Sequence, residues 1–216
     1  MNAVQAPVIP DVAALIRDNP GTISLGQGVV HYGPPAEAFE AIEGFGSTPA
    51  EHHYRNADGI PELHRALRTK LADDNSIHLD DDRQVLFVTA GSNMAFYHVV
   101  LSVCDPGDEV IVMSPYYFNH EMAIAMANAR AVAVPSDERY GLRFEAIEAA
   151  VTERTRMVVT ISPNNPAGVV YSPESLRQVN ELCRERGIYH VSDEAYEYFT
   201  YDGAHHLSPG SLPDSV

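Results

Sequence analysis

Arg156-Met157-Val158-Val159-Thr160-Ile161 runs directly into Ser162-Pro163-Asn164-Asn165-Pro166-Ala167-Gly168, and the pattern on either side of this stretch sets the architecture. A short apolar, β-branched run stopped by a Pro/Asn/Gly cluster reads as a strand covered on both faces. Downstream, Pro173 opens a helical stretch to about Arg186, Gly187 caps it, and Ile188 to Ser192 reads as the next strand. Upstream, Phe144 to Val151 reads as helix, Ala131 to Val134 as strand, Asn119 to Asn128 as helix and Glu109 to Met113 as strand. Asp105-Pro106-Gly107-Asp108 is the turn before that strand. Further back, a helical stretch ends near Val103, and Gln84 to Thr89 reads as a short buried strand ending at Ala90-Gly91-Ser92-Asn93. Pro61 opens a helix with Leu63, Leu67 and Leu71 on one side. This alternation means βαβ units, hence an α/β fold with a mostly parallel sheet and helices on both faces. Residues 1–40 stand outside that rhythm, with one short helix at Val12 to Arg17 and the Gly/Pro-rich run from Leu25 to Pro35.

The composition agrees with one sizeable core. The chain has 216 residues, 45% of them hydrophobic and 20% charged, and at roughly 150 residues per domain this is one large domain or slightly more. Lys and Arg number 14 against 30 Asp and Glu, a formal charge of −16. That balance argues against nucleic acid or an anionic membrane surface as partner, because both need a basic footprint. No stretch has the length of a bilayer-spanning helix, and the N-terminus lacks the flanks of a signal peptide, so a cytoplasmic location is expected. Cys104 and Cys183 have no metal-ligand or disulfide spacing and read as small core residues. The acidic residues Asp73, Asp74, Asp80, Asp81 and Asp82 read as a solvated loop without the ligand pattern of a calcium site.

In open parallel sheets, ligands bind beyond the carboxyl ends of the strands. Four segments fall there. Gly91 and Ser92 either let a phosphate approach a helix N-terminus or form an ordinary turn capped by Ser92. Tyr116 and Tyr117 are either a plate for an aromatic ligand or core aromatics. Asn164 to Gly168 is either a carboxamide-bearing loop or only a turn. Asp193 ends an apolar strand, so its carboxylate either awaits a cation or caps the next helix.

The order of these segments carries more than each alone. Ser24 to Val29 (S-L-G-Q-G-V), Tyr54 to Leu63 (Y-R-N-A-D-G-I-P-E-L), Val88 to Asn93 (V-T-A-G-S-N), Asp105 to Val112 (D-P-G-D-E-V-I-V), Ser114 to His120 (S-P-Y-Y-F-N-H), Ser162 to Gly168 (S-P-N-N-P-A-G) and Val191 to Phe199 (V-S-D-E-A-Y-E-Y-F) resemble the fold-type I pyridoxal-phosphate enzymes, specifically the class I/II aminotransferases.

The resemblance implies a role for each matching position. Gly91, Ser92 and Asn93 would cradle the phosphate of pyridoxal 5′-phosphate, and Tyr117, or Tyr116 one register earlier, would stack on its ring. Asn165 and Tyr196 would hydrogen-bond the ring's phenolic oxygen. Asp193 would keep the pyridine nitrogen protonated, with His120 as its partner or else at the surface. Tyr54 would reach the phosphate of a neighbouring subunit, implying a homodimer with shared sites. Gly28, with Asn165, would lie near the substrate carboxylate. Residues 1–40 would be an N-terminal arm and small-domain segment, and 41–216 the N-terminal part of the large cofactor-binding domain.

The resemblance also implies a Schiff-base lysine in a segment beyond the D-x-x-Y strand, which this chain does not contain. Lys70, the single lysine, lies on an exposed stretch of an early helix by this reading and is no substitute. The expectation is an aminotransferase that moves an amino group between an L-amino acid and a 2-oxo acid, with the 216 residues inactive alone. C–S lyases of the same fold share most of these motifs, and a non-catalytic binding or dimerisation fragment is the alternative outside enzymes. Dinucleotide dehydrogenases, serine hydrolases and zinc proteases fail on G-x-G-x-x-G, G-x-S-x-G and H-E-x-x-H respectively.

Overall fold

The computed structural model describes residues 4, 8–24, 28, 30–213 and 215. The chain divides into two compact units, one within Ala6–Asn56 and the other over Ala57–Val216. The first holds helix α1 (Ile9–Asp18) and helix α2 (Ala36–Glu43), the latter following Pro34-Pro35 and not anticipated from the pattern.

The second unit contains helices α3 (Pro61–Asn75) and α4 (Ser92–Val103), then strand β1 (Glu109–Ser114), α5 (Phe118–Met126), β2 (Arg130–Pro135), α6 (Phe144–Ala150), β3 (Thr155–Ile161), α7 (Pro173–Arg186) and β4 (Tyr189–Asp193). The strands form one parallel sheet in the order β2-β1-β3-β4. Side chains on a strand alternate between faces, and both faces here are apolar. Val110 and Val112 of β1 and Met157 and Val159 of β3 pack with Phe96 and Val100 of α4 and Ile124 of α5. Ile111 and Met113 of β1 and Val158 of β3 pack on the other face with Ile147 of α6 and Val179, Leu182 and Cys183 of α7. Helices on both faces explain why these strands are continuous apolar runs instead of alternating ones.

Helix α7 shows how local signals set the boundaries. Ser172 accepts the Ser175 N–H at 3.1 Å as N-cap, Pro173 follows at the first turn, and Gly187 closes the helix at φ 64°. Leu176, Val179, Leu182 and Cys183 form its buried stripe, each large apolar side chain contributing about 1.5–3 kcal/mol on burial.

Two expectations need correction. Gln84 to Thr89 is not a strand of this sheet. Val85 is 82% exposed and Phe87 54% exposed, while Leu86 and Val88 are half-buried. The Val88 N–H donates to Asp58 O at 2.8 Å, so the segment lies against the start of the unit; among the described residues it has no strand neighbour with which to form a ladder. The acidic residues are also not one loop: Asp73 and Asp74 belong to the last turn of α3, and Asp74 accepts the Tyr198 hydroxyl. Among the described residues no helix is long and apolar enough to cross a membrane.

Candidate active site

The carboxyl ends of β1, β3 and β4 lie side by side, and each delivers a polar segment. Asp193 is the last residue of β4, opposite Ile161, and its carbonyl accepts the Ser162 N–H at 3.1 Å. Its carboxylate accepts two hydrogen bonds, from the Ala195 N–H at 3.1 Å and from His120 Nε2 at 3.0 Å. Burial pushes this carboxyl up, but the bonds from His120 and Ala195 outweigh it and hold the group below its ordinary value. An ionised carboxylate is thus held at a strand end with its side chain only 15% exposed.

His120 sits in the first turn of α5 with its side chain 3% exposed, so it is buried and not at the surface. Its ring is stacked on Phe96 of α4 at 4.0 Å and meets the Tyr117 ring edge-on at 5.3 Å. Tyr117 Oη accepts the Asn119 side-chain N–H at 2.6 Å. Tyr116 packs against the core cluster of α4, α5 and β1. Phe96 carries no polar signature, and the sequence offers no sign that it supports His120.

Gly91 precedes α4 with φ 87° and ψ 167°, a conformation essentially confined to glycine, and no side chain caps the helix. The first N–H groups of α4 are therefore left without a capping side chain among the described residues, and the helix dipole favours an anion beside them. Ser92 and Asp193 line the same cleft of about 230 Å³, together with Phe96, Val99 and Val191. Asn93 follows, exposed, on the first turn.

In the loop after β3 the two asparagines separate. Asn164 is buried and builds the turn: Oδ1 accepts the Ala167 N–H at 2.9 Å and Nδ2 donates to Tyr171 Oη at 3.0 Å. Asn165 is left to reach Tyr196, with Nδ2 to Oη at 3.5 Å.

Tyr54 and Gly28 belong to the other compact unit. Tyr54 is fully exposed, and among the described residues nothing lies within 4 Å of where a Gly28 side chain would begin. Of its motif neighbours, Leu25, Gly26, Gln27 and Val29 lie outside the described residues. Lys70 is corrected: it is not exposed but half-buried, donating to Asn75 Oδ1 at 2.6 Å and pairing with Glu197 beyond β4.

An uncapped helix N-terminus, an ionised carboxylate and two phenol-and-amide donors around one set of strand ends suit a flat, phosphorylated, cationic heteroaromatic. Residues 20–211 match the family "Aminotransferase class I and II". The chain belongs to the class I and II aminotransferases. Members of this family use pyridoxal 5′-phosphate, and the donor set above fits it. This chain is 34% identical over 205 residues to an aromatic aminotransferase of Arabidopsis thaliana, covering 93% of this chain and 51% of that one. It is 40% identical over 165 residues to a probable aspartate/prephenate aminotransferase of Aquifex aeolicus, covering 76% and 41%. A solved aspartate aminotransferase of Thermus thermophilus, a single mutant, superposes with a TM-score of 0.88 at 32% identity, covering 98% of this chain and 56% of that one. The chain thus spans about half the length of the curated relatives it matches.

Proposed function

We propose that this chain is the cofactor-binding part of a pyridoxal-phosphate-dependent aminotransferase that moves an amino group between an L-amino acid and a 2-oxo acid. The observation that carries this reading is the His120–Asp193 pair at 3.0 Å on the cleft that Ser92 also lines. When bound, the cofactor supplies an electron sink for charge developing at the amino-acid α-carbon. The chain's own residues bind and orient it. Asp193 holds a proton on the pyridine nitrogen, and the bond from His120 keeps that carboxylate ionised. Gly91, Ser92 and Asn93 offer backbone N–H groups to the phosphate. Asn165 and Tyr196 donate to the phenolic oxygen, and Tyr117 covers the ring.

The same reading gives Gly28 and Asn165 to the substrate carboxylate and Tyr54 to the phosphate of a second copy, making a homodimer with shared sites. It assigns residues 1–40 to an arm and small-domain segment, and the protein to the cytoplasm. Because Lys70, the sole lysine, is engaged by Glu197 and Asn75, the 216 residues alone hold the cofactor non-covalently and do not turn over.

Titration of the purified chain with pyridoxal 5′-phosphate tests this. Saturable binding is expected, weakened roughly tenfold or more by Asp193→Asn, the scale of one bond to a charged group. Borohydride reduction should leave the mass without a phosphopyridoxyl adduct. Affinity no better than that of inorganic phosphate, or indifference to Asp193→Asn, overturns the reading.

A further inference from the structure

The segment that carries Asp193 and Tyr196 is held from behind by residues no motif of the site includes. The Glu197 carboxylate is taken at both oxygens: Lys70 Nζ pairs with Oε1, and Asn75 Nδ2 donates to Oε2 at 2.6 Å. Lys70 and Asn75 are themselves joined at 2.6 Å, and both lie on α3, well over a hundred residues earlier in the chain. Asn75 is buried, and the Lys70 ammonium also lies 5.5 Å from the centre of the Tyr198 ring. Glu194 is taken in the same way: His206 Nε2 lies 2.9 Å from Oε2 and Ser208 Oγ donates to Oε1 at 2.9 Å. Glu194, Glu197 and His206 come near enough to one another for a metal ion, but the carboxylate oxygens already have these partners.

Between the two gripped glutamates the chain makes a tight turn, with the Glu197 N–H on Glu194 O at 3.0 Å, and a second turn follows with the Phe199 N–H on Tyr196 O at 2.8 Å. Tyr196 is therefore the residue inside a turn pinned at both ends; its ring meets Phe199, three residues on, edge-on at 6.1 Å, and its hydroxyl accepts the long 3.5 Å contact from Asn165. A phenol whose ring rests on its own segment and whose hydroxyl has one long amide contact takes its position from the backbone that bears it.

We propose that Lys70 is a positioning residue: with Asn75 it clamps Glu197 and thereby sets where Tyr196 presents its hydroxyl to the cofactor. The proposal rests on the cofactor-binding reading above. Lys70 does not touch the cofactor and contributes nothing to the phosphate site at α4. Its loss thus weakens the phenol contact and spares the phosphate contact.

The test is binding of two probes, pyridoxal 5′-phosphate and inorganic phosphate, to the full chain and to Lys70→Met, Tyr196→Phe and the double variant. Lys70→Met should lose roughly tenfold in affinity for pyridoxal phosphate, the scale of one hydrogen bond to an anionic oxygen, with phosphate affinity unchanged. The double variant should be no weaker than Tyr196→Phe alone, since residues acting through one contact are not additive. Lys70→Arg, which keeps a cation against Glu197, should restore binding to within about twofold. If Lys70→Met does not fold, Glu197→Gln carries the same comparison. Equal weakening of both probes, full additivity with Tyr196→Phe, or unchanged binding by Lys70→Met overturns the clamp and leaves the cofactor reading standing. A parent chain that binds pyridoxal phosphate no better than phosphate overturns both.

Discussion

His120 Nε2 donates to Asp193 Oδ2 across 3.0 Å although 73 residues separate them. The pair joins the first turn of α5 to the last residue of β4, and Phe96 of α4 stacks on the imidazole at 4.0 Å. One bond therefore does two things: it tethers a helix to a strand end and keeps a half-enclosed carboxylate charged.

Replacing His120 with Phe should remove that charge control. Asp193 has a depressed carboxyl in the folded state, so its stabilising contribution is full above its ordinary value of 3.8 and is lost as pH falls through the folded value. His120→Phe should lower the unfolding free energy by about 1–3 kcal/mol at neutral pH, and the difference from the parent should shrink below about pH 4. Urea unfolding across pH 3–7 measures this, and a pH-independent difference would contradict it.

His190 should make the opposite face of β4 acid-sensitive. Burial pushes its imidazole down to about 4 from an ordinary 6.5, and its Nε2 is shared with Thr160 Oγ1 at 2.9 Å. The unfolded chain binds that proton more readily, so stability is full above pH 6.5 and falls progressively toward pH 4. The loss is on the order of 3 kcal/mol at the lower end. His190→Gln, which keeps a partner for Thr160 without titrating, should flatten stability between pH 7 and 4.5.

Gly91 should resist substitution without any clash. A side chain there meets nothing within 4 Å, yet φ is 87°. Gly91→Ala should destabilise by about 1–3 kcal/mol through backbone strain alone, and any relaxation that escapes the strain should turn the first N–H groups of α4 and weaken inorganic phosphate binding. Thermal melts and phosphate titration of the one variant read both effects. An unchanged melting temperature would rule out the strained backbone.

Substitutions in two apolar runs of similar appearance should diverge. Ile111 is wholly buried between β2 and β3, whereas Val85 is 82% exposed. Ile111→Ala should cost about 2–5 kcal/mol, and Val85→Ser should stay within about 0.5 kcal/mol. Chemical denaturation compares them directly, and a large cost at Val85 would place Gln84 to Thr89 in the core after all.

That contrast marks where local pattern stops being informative. β1, β3, β4 and α7 are legible because their signals are local: a short apolar run, a Ser-Pro start, a Gly at positive φ. Residues 84–89 carry the same local signal, but a strand exists only if a neighbouring strand completes its ladder, and no local pattern reports that. Helix α2 escapes local reading for the converse reason, since A-E-A-F-E-A-I-E has the composition of a helix but follows a Gly/Pro-rich run that reads as loop.

The candidate site divides along the same line. The order of elements, the family, and the polar residues at the carboxyl ends of strands can all be read along the chain, because each follows from periodicity, capping and motif spacing. Packing alone settles that His120 is buried against Asp193, that Asn164 builds the turn so that Asn165 can reach Tyr196, and that Lys70 is held by Glu197. Those relationships join segments brought together by the sheet and its helices, and the geometry that makes a carboxylate charged or an amine unavailable arises only there.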